Sequence, residues 1–241
     1  MEGEPAVTAA ASYSRLRALH SPVITTGEAA AALRVSTSAA SRSLRTLAEQ
    51  GLAQRIRYGL WNLEPEPIDP RRLASEITRP YPSYVSFESA LSAHGMIDQL
   101  PRDISLASLD RAKRVKTSFA KYVVRHLPPE LFGGYEERNA IPLATPEKAL
   151  FDYFYVAYAS AHPRRRLPEL ELPDGFSWAG VRKWLNRIRS RNLRRRVESP
   201  LIAEATRAGD KPALALQRRR SRRAGSRSRP HFSASSGKRA R

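Results

Sequence analysis

Residues 25–51 read TTGEAAAALRVSTSAASRSLRTLAEQG and predict two short helices joined by a tight connection. The first helix begins with a capping box, in which the Thr25 hydroxyl accepts from the amide of Glu28 and the Glu28 carboxylate reaches back to the amide of Thr25. Ser36 is a good N-cap for the second helix, and Gly51 is typical of the residue that follows a helix. The stretch therefore predicts a helix pair with a turn at residues 34–36.

The second of these helices has two faces with different chemistry. Ala40, Leu44 and Leu47 recur at i, i+4 and i+7, which predicts the side that packs on a core. Another face carries short hydroxyls and two guanidinium groups, at Ser38, Ser41, Arg42 and Arg45. Because arginine can bond guanine O6 and N7 and hydroxyls can reach bases or phosphates, this face suits a helix in the major groove of DNA. The alternative is a solvated helix face, since charged faces normally meet water.

A basic hairpin is predicted directly after the helix pair. Residues 52–63 form two short apolar segments around a Tyr58-Gly59 turn, which places Arg55, Arg57 and Tyr58 near the tip of a wing. A short amphipathic helix is predicted before the pair, over residues 12–20. Residues 12–63 hold seven bases and two acids. This order of elements, with its positive charge, predicts a winged helix-turn-helix DNA-binding domain over residues 12–63.

The charge of the whole chain points to an acidic partner. The 241 residues include 42 Lys and Arg against 23 Asp and Glu, a formal net charge of +19. Such a charge favours binding to nucleic acid or to an anionic membrane surface. It lies in the flanks, because residues 64–181 hold fifteen bases and sixteen acids, whereas residues 217–241 hold ten bases and no acid. We expect residues 217–241 to be a disordered basic tail, either a nucleic-acid-binding tail or a solvated extension.

Composition excludes several classes of protein. The absence of cysteine excludes disulfides, thiolate zinc sites and cysteine nucleophiles. The longest wholly apolar run, residues 29–33, is far shorter than the roughly 20 residues that a membrane span needs. The first residues carry acids and show no basic-then-apolar signal, so we expect a cytoplasmic protein with no membrane partner.

The middle of the chain predicts a second domain. The density of proline over residues 64–83 predicts a linker, because proline blocks both helix and central strand. Residues 84–200 alternate short strands with capped helices and predict a mixed α/β domain with a small sheet. The overall class is therefore α+β. We expect Ser86 and Thr145 to cap two of its helices and Ser177 to cap a last one.

Three blocks in this second domain carry a resemblance to a known family. They are YVSFESALSAHGMI at residues 84–97, the strand-rich stretch up to residues 132–135, and IPLATPEKALFDYFY at residues 141–155. With ESALSAHG and ATPEKALFD as its strongest motifs, the chain resembles the AbiEi-type antitoxins of type IV toxin–antitoxin systems. The resemblance spans about residues 12–190, and its winged-helix half is similar in layout only.

The resemblance implies an activity and two partners. It implies binding to double-stranded DNA at inverted repeats in the protein's own promoter, which represses the operon. It also implies that the second domain counteracts a nucleotidyltransferase-type toxin without needing a stable complex with it. A stand-alone transcriptional regulator without a toxin partner is the alternative within the same class.

The sequence motifs give little support to an enzymatic function. A metal-dependent nuclease needs an Asp and an E-x-K on adjacent strands, whereas Glu147 and Lys148 are neighbours on a predicted helix. Glu88, Glu147 and Lys148 form a functional polar cluster, or the two glutamates are ordinary helix-start carboxylates favoured by the helix dipole. Histidines at metal-ligand spacing are lacking, since the five lie scattered at His20, His94, His126, His162 and His231. We therefore expect no catalytic residue, no cofactor and no metal, with a nucleic-acid enzyme as the remote alternative.

Overall fold

The computed structural model describes residues 8–64, 66, 68–159 and 170–207. Helices and two sheets are mixed along the chain, which confirms the predicted α+β class. The tail at residues 217–241 lies outside the described residues. We call residues 8–63 the N-terminal unit, and residues 83–159 with 170–207 the second unit.

The N-terminal unit consists of three helices and a three-stranded antiparallel sheet. The helices are α1 (Ala9–Arg17), α2 (Thr26–Leu33) and α3 (Thr37–Glu49). The strands are β1 (Val23–Thr25), β2 (Gln54–Arg57) and β3 (Leu60–Asn62), in the order β1-β3-β2. The first helix begins three residues earlier than residues 12–20 predict, and β1 was not predicted.

The predicted caps of the helix pair are present. The Glu28 amide donates to Thr25 Oγ1 at 3.1 Å and the Thr25 amide donates to Glu28 Oε2 at 2.7 Å, which completes the capping box. Ser36 Oγ accepts from the Ala39 amide at the start of α3. Arg34 ends α2 in the left-handed conformation, with φ 57°. The tight connection between the two helices is fixed at both ends, by the bond from the Val35 amide to the Ala30 carbonyl at 3.0 Å and by the Ser36 cap.

Strands β1 and β3 of the three-stranded sheet are buried on both faces, whereas β2 buries only Ile56. Ile24 and Trp61 point to the helices of the N-terminal unit, where they pack with Leu44 and Leu47. The alternate side chains are buried in the core of the second unit, and these are Val23, Ile56 and Leu60. Because successive side chains of a strand point to opposite faces, this double burial follows from strands that are apolar at consecutive positions.

The second unit is built on a six-stranded mixed sheet. Its strands are β4 (Ser83–Val85), β5 (Ile104–Ser108), β6 (Lys113–Lys116), β7 (Lys121–His126), β8 (Tyr135–Arg138) and β9 (Ile141–Ala144). The order is β6-β7-β5-β4-β9-β8, with β4–β9 and β5–β7 parallel and the other pairs antiparallel. Its helices are α5 (Phe87–Ala93), α6 (Pro146–Ala159), α7 (Trp178–Leu185) and α8 (Arg191–Arg207).

Three expectations about these helices are wrong, and one of them is that Ser177 caps α7, since its side chain makes no capping bond. Ser86 was expected to cap α5, but its hydroxyl makes no capping bond and donates instead to Asp152 Oδ2 at 2.8 Å. The helix that follows Ser177 was expected to be the last, yet the seventeen-residue α8 follows it. Pro200 lies inside α8, and proline within a helical pattern argues against a helix when only the sequence is known.

The proline-rich segment contains regular structure. A 3-10 turn at Pro70–Leu73 continues into a short helix, α4 (Ala74–Thr78), and Leu73 and Ile77 are buried in the core of the second unit. The Tyr122 hydroxyl of β7 donates to the Pro70 carbonyl at 2.8 Å. Much of the predicted linker is therefore packed on the second unit.

Glu28 gives the N-terminal unit a specific dependence on pH. The backbone hydrogen bond from Thr25, together with Arg79 Nη1 at 3.2 Å, lowers the pKa of Glu28 below its usual value of 4.5. Its stabilising effect is present above pH 4.5 and is lost as the pH falls through the lowered pKa. Glu28→Gln keeps an acceptor for the Thr25 amide but removes the charge. We expect the stability advantage of the wild type over this variant to shrink as the solution is acidified below that value.

Thermal unfolding of both proteins across a pH series measures this difference. Glu49→Gln, at the exposed end of α3, controls for the simple loss of one carboxylate. A difference in melting temperature between wild type and Glu28→Gln that stays constant with pH would contradict the assignment.

Candidate nucleic-acid interface

A cleft of about 540 Å³ lies between α3 and the β2–β3 hairpin. We call it the basic cleft. Most of the residues that line it are polar or cationic, and they are Thr26, Thr37, Ser38, Ser41, Arg42, Arg45, Arg55, Tyr58, Gly59 and Trp61. The structure thus brings six of the seven predicted site residues to one place. Arg57, the seventh, is exposed on the same hairpin but does not line the cleft.

The orientation of α3 follows from its apolar stripe. Ala40, Leu44 and Leu47 are each 0% exposed, as the heptad-like spacing predicts. Their burial turns the opposite side of the helix outward, where Arg42 and Arg45 are exposed. The same sequence pattern therefore fixes both the core contact of α3 and the cationic wall of the cleft.

Arg55 forms the facing wall together with two aromatic rings. Its Cζ lies 5.5 Å from the centroid of the Tyr58 ring and 5.8 Å from that of the Trp61 ring. Cations attract the negative face of aromatic rings at such distances, so these rings restrict where the guanidinium can go. Tyr58 itself is 87% exposed at the tip of the hairpin.

Thr26 and Trp61 belong to the cleft although the sequence analysis did not select them. Trp61 Nε1 donates to Thr26 Oγ1 at 3.0 Å, which ties β3 to the start of α2 at the floor of the cleft. The available signal was a tryptophan in a three-residue strand, since a buried indole needs an acceptor for its N–H. That acceptor is 35 residues away in the chain and could not be identified from local spacing.

The electrostatics of the basic cleft favour an anionic ligand. In the described part of the chain, Arg42, Arg45 and Arg55 have no carboxylate within ion-pair distance, and the lining of the cleft includes no acid. Three uncompensated guanidinium groups around one groove give a positive potential that attracts phosphates. The hydroxyls of Ser38 and Ser41 add hydrogen-bonding groups to the same surface.

Comparison of the sequence with known protein families finds no match, and comparison with curated proteins finds none either. Among the described residues, no group of three or more histidine, aspartate and glutamate side chains is placed to hold a metal ion. Within the same residues, no helix combines the length and the apolar character needed to cross a bilayer.

A second group of polar residues lies at the centre of the second unit. Lys148 and Asp152, one turn apart on α6, form an ion pair in which both side chains are 0% exposed. Asp152 Oδ2 also accepts from the Tyr84 hydroxyl at 3.0 Å and from Ser86 Oγ at 2.8 Å. Lys148 Nζ donates to the Leu131 carbonyl at 2.7 Å. We call Tyr84, Ser86, Lys148 and Asp152 the buried polar cluster.

Burial dominates the titration of this cluster. Removal from water lowers the pKa of Lys148 and raises the pKa of Asp152, and the attraction between the two charges opposes both effects. Desolvation and the neighbouring Asp152 charge raise the pKa of Tyr84. The Trp184 ring covers Lys148, with Nζ 4.4 Å from the ring centroid. Within the part of the chain that the structure describes, both charged side chains are fully buried.

The Trp184 ring can cover Lys148 only because position 134 is a glycine. Gly134 has φ +75°, and a Cβ at this position would collide with the Trp184 ring and approach Lys148 Cγ to 3.1 Å. A larger residue would therefore displace the indole that covers the ammonium group.

The structure separates the three residues considered earlier as a polar cluster. Glu88 pairs with Arg125 Nη1 at 2.8 Å, whereas Glu147 Oε1 accepts from the Ser177 amide at 3.0 Å. Only Lys148 enters the buried polar cluster, and its partner Asp152 was not selected from the sequence. His94 Nε2 bonds the Ala144 carbonyl of β9 at 2.7 Å, which joins α5 to the central sheet.

The energetic role of the buried ion pair can be tested with neutral substitutions. Lys148→Met leaves a buried carboxylate without its cation, so we expect a loss of about 3–5 kcal/mol in the free energy of unfolding. The double variant Lys148→Met/Asp152→Asn removes both charges and keeps an amide oxygen for Tyr84 and Ser86. We expect it to recover about 1–3 kcal/mol of that loss. Urea unfolding measures both values, and a double variant less stable than Lys148→Met would contradict the role of the pair.

Proposed function

We propose that this protein is a DNA-binding transcriptional repressor, with the N-terminal unit acting as a winged helix-turn-helix module. The basic cleft is the observation that carries the proposal. It joins the Ser/Arg face of α3 to the cationic hairpin in one continuous surface, without an acid among its lining residues. A recognition helix beside a basic wing is the arrangement with which such modules read DNA.

The dimensions of α3 suit this role. At 1.5 Å per residue its thirteen residues span about 20 Å, and a helix of ordinary diameter enters the major groove, which is about 12 Å wide. In this arrangement Arg42 and Arg45 contact base edges, and Ser38 and Ser41 contact bases or phosphates. Arg55, Arg57 and Tyr58 on the hairpin then meet the sugar–phosphate backbone or the minor groove.

We further propose that the repressor is the antitoxin of a type IV pair and counteracts a nucleotidyltransferase-type toxin. The support is the resemblance of the ESALSAHG and ATPEKALFD blocks to AbiEi-type antitoxins. These blocks form α5 and α6, two neighbouring helices that pack on each other. ATPEKALFD supplies Lys148 and Asp152 at the centre of the second unit, and Asp152 accepts from Ser86, which directly precedes α5. The proposed DNA target is an inverted repeat in the protein's own promoter.

Arg42→Ala tests the recognition helix. We expect it to weaken binding to the duplex immediately upstream of the gene by about 1–3 kcal/mol and to reduce discrimination against a shuffled duplex. Arg102→Ala removes one exposed arginine outside the cleft and serves as the matched control. Gel-shift titrations at one fixed salt concentration provide both affinities, since phosphate contacts make affinity salt-dependent. Binding by Arg42→Ala that equals the control would refute the assignment of α3.

A growth experiment tests the antitoxin part. The gene immediately downstream is induced alone, with the wild-type protein in trans, or with the double variant Arg42→Ala/Arg45→Ala. We prefer this variant to deletion of residues 12–63, because the deletion would expose the core surface that Val23, Ile56 and Leu60 cover. We expect both proteins to restore growth, since neutralisation belongs to the second unit and repression to the cleft.

Two outcomes would change this conclusion. A harmless downstream gene, or growth that neither protein restores, would leave a stand-alone regulator. Rescue by the wild type alone would show that neutralisation works through repression.

A further inference from the structure

The β2–β3 hairpin contains a β-bulge beside the basic cleft. Cα partners run from Gln54↔Asn62 through Arg55↔Trp61 to Arg57↔Leu60, so Ile56 has no partner across the pair. A bulge bends its strand and aims the extra side chain differently. Here the Ile56 side chain is 1% exposed and lies in the core of the second unit.

The backbone beside this bulge is bound by a turn of the second unit. Strand β2 is at an edge of the three-stranded sheet, where its outer carbonyls lack a strand partner. Ser118, between β6 and β7, meets two of these carbonyls. Its Oγ donates to the Arg55 carbonyl at 2.7 Å, and its amide donates to the Ile56 carbonyl at 2.9 Å.

The turn that carries Ser118 is itself held in one conformation. The Thr117 amide donates to the Ala120 carbonyl at 2.9 Å, and Thr117 Oγ1 accepts from the Ala120 amide at 3.0 Å. Phe119 packs against the core of the second unit. A preorganised turn loses little entropy when it binds a partner, so its bonds to the hairpin restrict the hairpin effectively.

These contacts bear directly on Arg55. The Arg55 carbonyl accepts from Ser118 Oγ, and the guanidinium group of the same residue lines the basic cleft. Its side chain is guided on the cleft side by Tyr58 and Trp61. The backbone of Arg55 is therefore held by the second unit, and its side chain is guided by two rings of the hairpin itself.

We propose that Ser118 is a positioning residue, through which the second unit fixes the hairpin and sets where Arg55 meets DNA. The inference rests on the proposed DNA-binding function and adds a specific role of the second unit in it. The affinity of the cleft for its preferred duplex then depends on a contact made outside the N-terminal unit. Because the Ser118 side chain is uncharged and does not line the cleft, its loss leaves the charge of the cleft unchanged.

A double-mutant cycle in the full-length chain tests this role. With the duplex immediately upstream of the gene as the probe, we expect Ser118→Ala to weaken binding about fivefold, the equivalent of one hydrogen bond. In an Arg55→Ala background the same change should weaken binding less than about twofold, because the contact it positions is gone. In an Arg42→Ala background the full loss should remain.

Two variants control for other effects of the substitution. Ser118→Thr keeps the hydroxyl at this exposed position and should bind like the wild type. Ser92→Ala makes the same chemical change on α5 and should also bind like the wild type. A loss from Ser118→Ala that is equal in the Arg55→Ala and Arg42→Ala backgrounds would overturn the proposal.

Hydrogen exchange without DNA separates this proposal from the proposed function. We expect Ser118→Ala to speed exchange of the amides of residues 54–62 and to leave those of α6 unchanged. Unchanged exchange at residues 54–62 would overturn the proposed contact whatever the binding data show. If even the wild type fails to prefer the upstream duplex over a shuffled one, the proposed function and the role of Ser118 in DNA binding both fail. The exchange data then still decide whether Ser118 holds the hairpin.

Discussion

The three-stranded sheet of the N-terminal unit must satisfy two hydrophobic cores at once, and much of the molecule depends on this constraint. Ile24 and Trp61 close the core beneath α1–α3, while Val23, Ile56 and Leu60 enter the core of the second unit. A sheet at the surface of a small domain often has one buried face and one solvated face. Here β1 and β3 are covered on both faces, whereas β2 buries Ile56 and leaves Arg55 and Arg57 exposed. The position of the hairpin is therefore defined by the packing of β3 on both sides and of Ile56 in the core of the second unit.

The distribution of charge follows the same division of the molecule. In the cleft, guanidinium groups face solvent and have no carboxylate partner among the residues that the structure describes, which suits an anionic ligand. In the second unit some charges are paired, as with Glu88 and Arg125 on the sheet and Lys148 and Asp152 in the interior. A buried charge without a partner would carry a large desolvation penalty, so interior cations are tolerated only where acceptors enclose them. The basic cleft and these two ion pairs therefore use basic residues for opposite purposes.

Local signals in the sequence predicted the parts of the fold that local interactions determine. The capping box of Thr25 and Glu28, the apolar stripe of α3 and the Tyr58-Gly59 turn each lie within a few residues, and six of the seven predicted site residues share one cleft. Features that depend on distant partners were missed. Strand β1 exists because it pairs with β3, and Trp61 joins the cleft through Thr26. Lys148 and Asp152 have visible helical spacing, but their burial depends on Trp184 and Leu131, which come from other elements. Helix α8 was not predicted, because it contains Pro200.

The buried ion pair also constrains how this protein can change over generations. Positions 148 and 152 are one helical turn apart and fully enclosed, so either charge alone is worse than both or neither. A lineage that exchanges the pair for neutral residues must pass through an unstable single substitution or acquire both changes together. The two positions should therefore vary in concert among descendants of this gene, and position 134 should remain glycine wherever tryptophan covers the pair. These interior positions of the second unit should therefore stay similar among related proteins even where the solvent-exposed surface has diverged.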